Sequence, residues 1–199
     1  MDENWTKIKY LAEKNNGILT TMQVENNGIP RSVIKSFLDV GKLALVRKGL
    51  YILQDGLIDE YALIQAQSSK VIYSYGTALY LWGMTDRTPH IIDITAPHGH
   101  NLNRIYGKQP DLRFHYVVKK YYDIGITETE TPQGAQVRLY DPERCICDLI
   151  RDKDCQDLQL FTQAIQSYFK HKPNCRKLVK YGKQFGIEEK IRTYMEVLS

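Results

Sequence analysis

The side chains best suited to chemistry in this chain are cations, and they are bunched. Between Arg31 and Lys48 lie five basic residues, Arg31, Lys35, Lys42, Arg47 and Lys48, against the single acid Asp39. Guanidinium and ammonium groups at that density suit a polyanion, because each phosphate they neutralise releases condensed counterions. A second run, Lys170 to Arg192, holds eight Lys or Arg against Glu188 and Glu189. It shares its helices with core residues and reads first as a solvated face, with a second contact to a nucleic-acid backbone as the alternative. Other constellations are thinner. Asp93 on a strand with Glu128 and Glu130 on one face of a hairpin could be drawn as the metal site of a nuclease or nucleotide-processing enzyme. Alternating acids on a two-sided strand are more simply its wet face. His90, His98 and His100 fall in or near a loop and read as polar surface. Cys145, Cys147, Cys155 and Cys175 match no zinc spacing, and the first two, two apart on a helix, point to different faces. Four reduced, mostly buried thiols are expected. With no phosphate-cradling glycine loop and no nucleophile elbow, the reading is of a chain that is not an enzyme, with no catalytic residue, metal or cofactor.

The cations need a scaffold, and the first 53 residues supply one. Trp5, Ile8, Leu11 and Ala12 recur at helical spacing opposite Lys7, Lys9, Glu13 and Lys14, and Gly17 ends that helix. Thr20 with Gln23 makes a capping box for a short second helix, with Leu19 stapled against Val24, and Asn27-Gly28 closes it. Pro30 suits the first position of a third helix running to Val40, stopped by Gly41. At 100° per residue, Arg31, Ser32, Lys35, Ser36 and Asp39 share one arc, while Val33, Ile34, Phe37, Leu38 and Val40 fill the other. Leu43–Val46 and Leu50–Leu53 read as strands joined by Arg47-Lys48-Gly49, where the glycine supplies a positive φ. Three helices followed by a basic hairpin predict a winged helix-turn-helix. In such a module Arg31, Ser32, Lys35 and Ser36 meet the major groove, and Lys42, Arg47 and Lys48 meet phosphates or the minor groove.

From residue 57 the pattern turns to mixed helix and strand. Helices are expected over 59–69 and 74–82, strands over 91–95 and 112–118, and a hairpin of 126–131 with 135–140 around Pro132-Gln133-Gly134. Asp141-Pro142-Glu143 opens a helix carrying Ile146, Leu149 and Ile150, and the remainder is helical. The fold class expected is α+β: a winged helix-turn-helix over 1–56, then a larger mixed domain over 57–199 with antiparallel strands and a helical carboxy terminus. A net charge of +4 over 199 residues argues for no partner by itself. No amino-terminal segment has the layout of a signal peptide, and the most apolar window, 71–84, is broken by Ser74, Gly76 and Thr77, so a cytoplasmic protein without a membrane partner is expected.

Three segments carry a resemblance to a known family. Gly49-Leu50-Tyr51, the run Ser74-Tyr75-Gly76-Thr77-Ala78-Leu79-Tyr80-Leu81-Trp82-Gly83-Met84-Thr85-Asp86, and Tyr140-Asp141-Pro142-Glu143-Arg144-Cys145-Ile146-Cys147-Asp148-Leu149-Ile150 make the chain resemble, over nearly its full length, the AbiEi antitoxins of type IV toxin-antitoxin (abortive infection, phage defence) loci. The resemblance implies a winged helix that represses its own operon at inverted repeats in double-stranded promoter DNA. It also implies a larger part that counters a nucleotidyltransferase-like toxin without a stable complex. A monomer in solution, with two copies on the DNA, fits such an operator. Arg144 and Asp148, four apart on one helix, are expected to pair and support structure.

Overall fold

The computed structural model describes residues 2–171 and 173–198. Mixed α+β secondary structure is divided between two compact units, residues 1–69 with 130–137 and residues 70–129 with 138–199. In the first, α1 (Asp2–Glu13), β1 (Ile18–Thr20), α2 (Thr21–Asn26), α3 (Arg31–Asp39), β2 (Leu43–Arg47), β3 (Leu50–Leu53) and α4 (Glu60–Ala66) follow in chain order. Its three strands lie in the order β1-β3-β2, both pairings antiparallel. Ile8, Leu19, Val24, Ile34, Phe37 and Leu43 are buried together under this sheet, with the Trp5 ring 5.0 Å from that of Phe37. Both capping-box bonds are made: Gln23 N donates to Thr20 Oγ1 at 3.2 Å, and Thr20 N donates to Gln23 Oε1 at 2.8 Å.

Four details depart from the sequence reading. Strand β1 is too short to show a period. Pro30 is the N-cap rather than the first helical residue, and no side chain caps α3. Val40 is the C-cap of α3, past the last helical turn, and stands 63% exposed instead of joining the apolar face. The boundary expected at residue 56 falls inside the first unit, which runs on through α4. Asp59 explains the continuation: its buried carboxylate accepts from Ala62 N at 3.0 Å, capping α4, and from the Thr131 hydroxyl of the 130–137 segment.

The second unit contains α5 (Tyr75–Leu81), α6 (Leu102–Tyr106), α7 (Lys119–Tyr122), α8 (Pro142–Arg151), α9 (Leu158–Lys170), α10 (Cys175–Phe185) and α11 (Glu188–Leu198). A five-stranded sheet is built from β4 (Ile72–Tyr73), β5 (Ile92–Pro97), β6 (Leu112–Val117), β7 (Ile126–Glu130) and β8 (Gln136–Tyr140), in the order β6-β5-β4-β8-β7. The expected antiparallel arrangement is corrected here. β5 with β6 and β4 with β8 are parallel, so the sheet is mixed. The physical reason is the connection, since 14 residues carrying α6 lie between β5 and β6, enough for a crossover rather than a tight turn.

Helix α8 is buried on all sides from Glu143 to Ile150. Asp141 caps it, accepting from Arg144 N at 2.8 Å, with Pro142 next. Arg144 is fully buried, its guanidinium between the Tyr140 and Phe185 rings at 4.2 and 4.5 Å. Its Nε donates to Asp148 Oδ2 at 2.8 Å, and its Nη1 donates to the carbonyls of Tyr121 and Ile124. Gly125 (φ 81°) lets the backbone pass so close that a Cβ there would lie 2.8 Å from that of Arg144. Asp148 Oδ1 lies 3.0 Å from Arg151 Nη2, off the line of a hydrogen bond. Burial raises the Asp148 carboxyl above its ordinary value, outweighing the two guanidiniums that lower it.

The thiols divide by depth rather than being mostly buried. Cys145 and Cys147 are buried, Cys155 is exposed and Cys175 partly so. Burial, with Asp148 nearby, pushes Cys145 well up and Cys147 up to about 12. Both stay protonated at neutral pH and are poor nucleophiles.

Two outcomes follow. Alkylation of the native protein with iodoacetamide at pH 8, read by peptide mass spectrometry, labels Cys155 and spares Cys145 and Cys147 until denaturant is added. Replacing Arg144 alone by Met takes from buried Asp148 its hydrogen-bonded partner, with only the Arg151 ion pair left to it, and lowers urea stability by about 3 kcal/mol; Arg144→Met with Asp148→Leu regains part of that loss.

Candidate nucleic-acid interface

Each predicted cation is on the surface of the first unit, and the local sequence explains why. Helix α3 turns Ile34 and Phe37 inward and half-buries Val33 and Leu38, which leaves Arg31, Ser32, Lys35 and Asp39 on its open side. The β2–β3 turn is two residues, Lys48-Gly49, with Gly49 at φ 85° as its geometry demands. A bulge between Leu45 and Arg47 puts one extra residue in β2. The turn is tied to α2, because Thr21 N donates to Gly49 O at 3.0 Å. Helix α2 thereby acts as a spacer between the turn at its first residue and Glu25 near its last, six residues or roughly 9 Å long.

The side chains themselves are less alike than the sequence implied. Lys35 and Lys48 are exposed. Arg31, 71% exposed, is held side-on by Glu25: Nε donates to Oε1 at 2.5 Å and Nη2 to Oε2 at 3.2 Å. That carboxylate raises the guanidinium further above its ordinary value. Ser32 is exposed, whereas the Ser36 hydroxyl donates to Val33 O at 2.8 Å and is half-buried. Arg47 Nη1 donates to the Gln67 carbonyl at 2.7 Å, which anchors one cation of the turn to the end of α4. Lys42 is the outlier. Its ammonium lies 4.8 Å from the Trp5 ring centre and 5.8 Å from that of Phe37. The pairings Leu43 with Leu53 and Arg47 with Leu50 put it at the far end of the hairpin from Lys48.

Sequence reasoning missed Glu25, Gln67 and Trp5 as partners of these cations. The Glu25–Arg31 pair spans an interhelical turn at a separation of six, where the i,i+4 rule of a single helix says nothing.

Asp93 and Glu128 are not brought together, since β4 and β8 lie between their strands, roughly 14 Å of sheet. Among the described residues no group of three or more His, Cys, Asp or Glu could hold a metal ion. Asp93 has other work: its Oδ1 shares a 2.8 Å hydrogen bond with His115 Nε2, and Arg113 Nη1 lies 3.7 Å away. His115 stacks at 4.3 Å on Tyr75, which holds a positive φ of 44° and donates from its hydroxyl to Asp152 Oδ2 at 2.5 Å. Burial, then Asp148, pushes that hydroxyl far up, so it remains a donor and not a nucleophile. In the basic run from 170, Lys177 bridges Asp141 and Glu143, and Arg192 pairs with Glu188. Arg176, Lys180 and Lys190 are exposed, and Lys172 lies outside the described residues.

No protein-family model matches the chain, and no curated protein matches it. Among solved structures, the chain is similar to the crystal structure of RV2827C protein from Mycobacterium tuberculosis. That likeness has a TM-score of 0.60 at 15% identity, covering 88% of this chain and 69% of that one. At that identity the likeness is one of fold. No helix among the described residues is long and apolar enough to cross a membrane.

Proposed function

We propose that the first unit is a winged helix-turn-helix that binds double-stranded DNA, and that the chain is an autoregulating antitoxin of the AbiEi kind its sequence resembles. The observation that carries the DNA reading is the arrangement in the first unit: helix, strand, helix, helix, and a hairpin whose second strand pairs with β1, giving the order β1-β3-β2. In that arrangement α3 is the recognition helix and residues 47–49 are the tip of the wing. Arg31, Ser32 and Lys35 are exposed on α3, and Lys48 on the wing, with α2 bonded to both elements through Thr21 to Gly49 and Glu25 to Arg31. A rigid apolar underside is what lets several cations meet one duplex together, which a scatter of surface lysines does not achieve.

Roles follow from chemistry. Lys35 and Lys48 are point charges suited to phosphates; Arg47, already bonded to the protein, carries its charge at a fixed place. Lys42 contributes less, its ammonium being engaged by aromatic faces on the α1 side. Ser36 gives its proton to the backbone and can only accept. Two copies on an inverted repeat would repress the operon, and the larger unit would counter the toxin encoded beside it.

Reversing both wing-tip cations, Arg47→Glu with Lys48→Glu, abolishes binding to promoter duplex in fluorescence anisotropy while neutralisation of the co-expressed toxin survives. Lys35→Ala and Lys48→Ala each weaken binding on all sequences and lower the slope of log K against log salt by about 1, whereas Lys42→Ala changes it less. Unchanged binding by the double reversal would count against the module.

A further inference from the structure

The Glu25–Arg31 pair does little for stability, since both side chains are solvent-exposed and such pairs contribute little. Its geometry is more specific than its energy. A guanidinium carries five N–H donors in a planar fork. Glu25 occupies the Nε edge together with one donor of Nη2, so the remaining donors, two on Nη1 and one on Nη2, present the end-on edge of the fork. That edge offers the two parallel N–H groups that match the O6 and N7 acceptors of a guanine in the major groove. Arg31 is the first residue of α3, where a recognition helix meets base edges.

Charge points the same way. A carboxylate 2.5 Å from Nε makes the pair close to neutral and sets a negative group beside any phosphate that approaches Arg31. Lys35, exposed on the same helix face, remains the better phosphate ligand. Holding the side chain in one rotamer also lowers the ordering cost when a base is met.

We propose that Glu25 is a positioning residue that aims Arg31 at one guanine in each half-site, making this pair a determinant of sequence choice rather than of affinity for duplex in general. The inference rests on the DNA reading given above. Glu25 touches no base; it acts through the guanidinium.

The test is selection of bound sequences from a random duplex library by full-length wild-type protein, Glu25→Gln, Arg31→Lys and the double variant, with affinity for a mixed-sequence duplex measured in parallel. Wild type selects a motif with a guanine at one fixed position per half-site. Arg31→Lys and Glu25→Gln each relax that position by about tenfold or more. Glu25→Gln leaves mixed-sequence affinity equal or higher, because a negative charge has been removed, and the double variant is no worse than Arg31→Lys alone. Glu25→Gln that keeps the guanine overturns the inference. So does a motif in which no position responds to Arg31→Lys, or a loss by Glu25→Gln on all duplexes alike together with lost amide protection in α2 and α3. Wild-type protein that binds no duplex overturns the DNA reading itself, whereas binding with unaltered selection in Glu25→Gln overturns only the part played by Glu25.

Discussion

Burial of one side of α3 is the constraint on which the rest of the first unit depends. Ile34 and Phe37 reach the cluster formed by Ile8, Leu19, Val24 and Leu43, and a helix rotates 100° per residue, so committing these two positions leaves no choice about where Arg31, Ser32 and Lys35 point. The same cluster takes the cross-strand pair Leu43 and Leu53 at the open end of the hairpin and thereby fixes the direction in which the Lys48-Gly49 turn emerges. Cations whose spacing is set by packed apolar groups would lose little freedom on meeting a polyanion.

The second unit solves a different problem, that of burying charge. Arg144 is surrounded by Asp148, two aromatic faces and the carbonyls of Tyr121 and Ile124, and it ties the chain before β7 to the first turn of α8. Asp152 shows the balance at a shallower site. Burial would raise its carboxyl, but the bonds donated by Arg151 and Tyr75 together hold it below the ordinary value. Its contribution to stability is therefore present above the unfolded carboxylate range and is lost as pH falls through its depressed folded value. Asp148 runs in the opposite sense, its cost being relieved as pH falls. Side chains that could be drawn as an acid-base site are in this way already committed to one another.

Much of this was legible in the residues. Thr20 with Gln23, Asp141-Pro142, Gly49 and the two faces of α3 each follow a local rule, and local rules survive folding. What was not legible depends on partners distant in sequence. Alternation of period two is the same in parallel and antiparallel strands, so the pairing of β5 with β6 could not be read from either. Pro30 was placed one position too far into α3 because the cap and the first helical residue both accommodate its φ. Glu25 carried no signal, since nothing in the spacing of Glu25 and Arg31 says that the turn at Asn27-Gly28 returns the chain at the angle that joins them. The pull of Trp5 on Lys42 is likewise a tertiary fact, and it separates one cation from a set that looked uniform.

The most direct measurement is the amide chemical-shift map of isotope-labelled protein titrated with a promoter duplex. The account requires that the perturbed amides concentrate at 31–36 and 47–49, the two segments joined by α2, and that the perturbation fade as salt is raised. Saturable binding with shifts confined to α8–α11, or no shift at all at low salt, would contradict it.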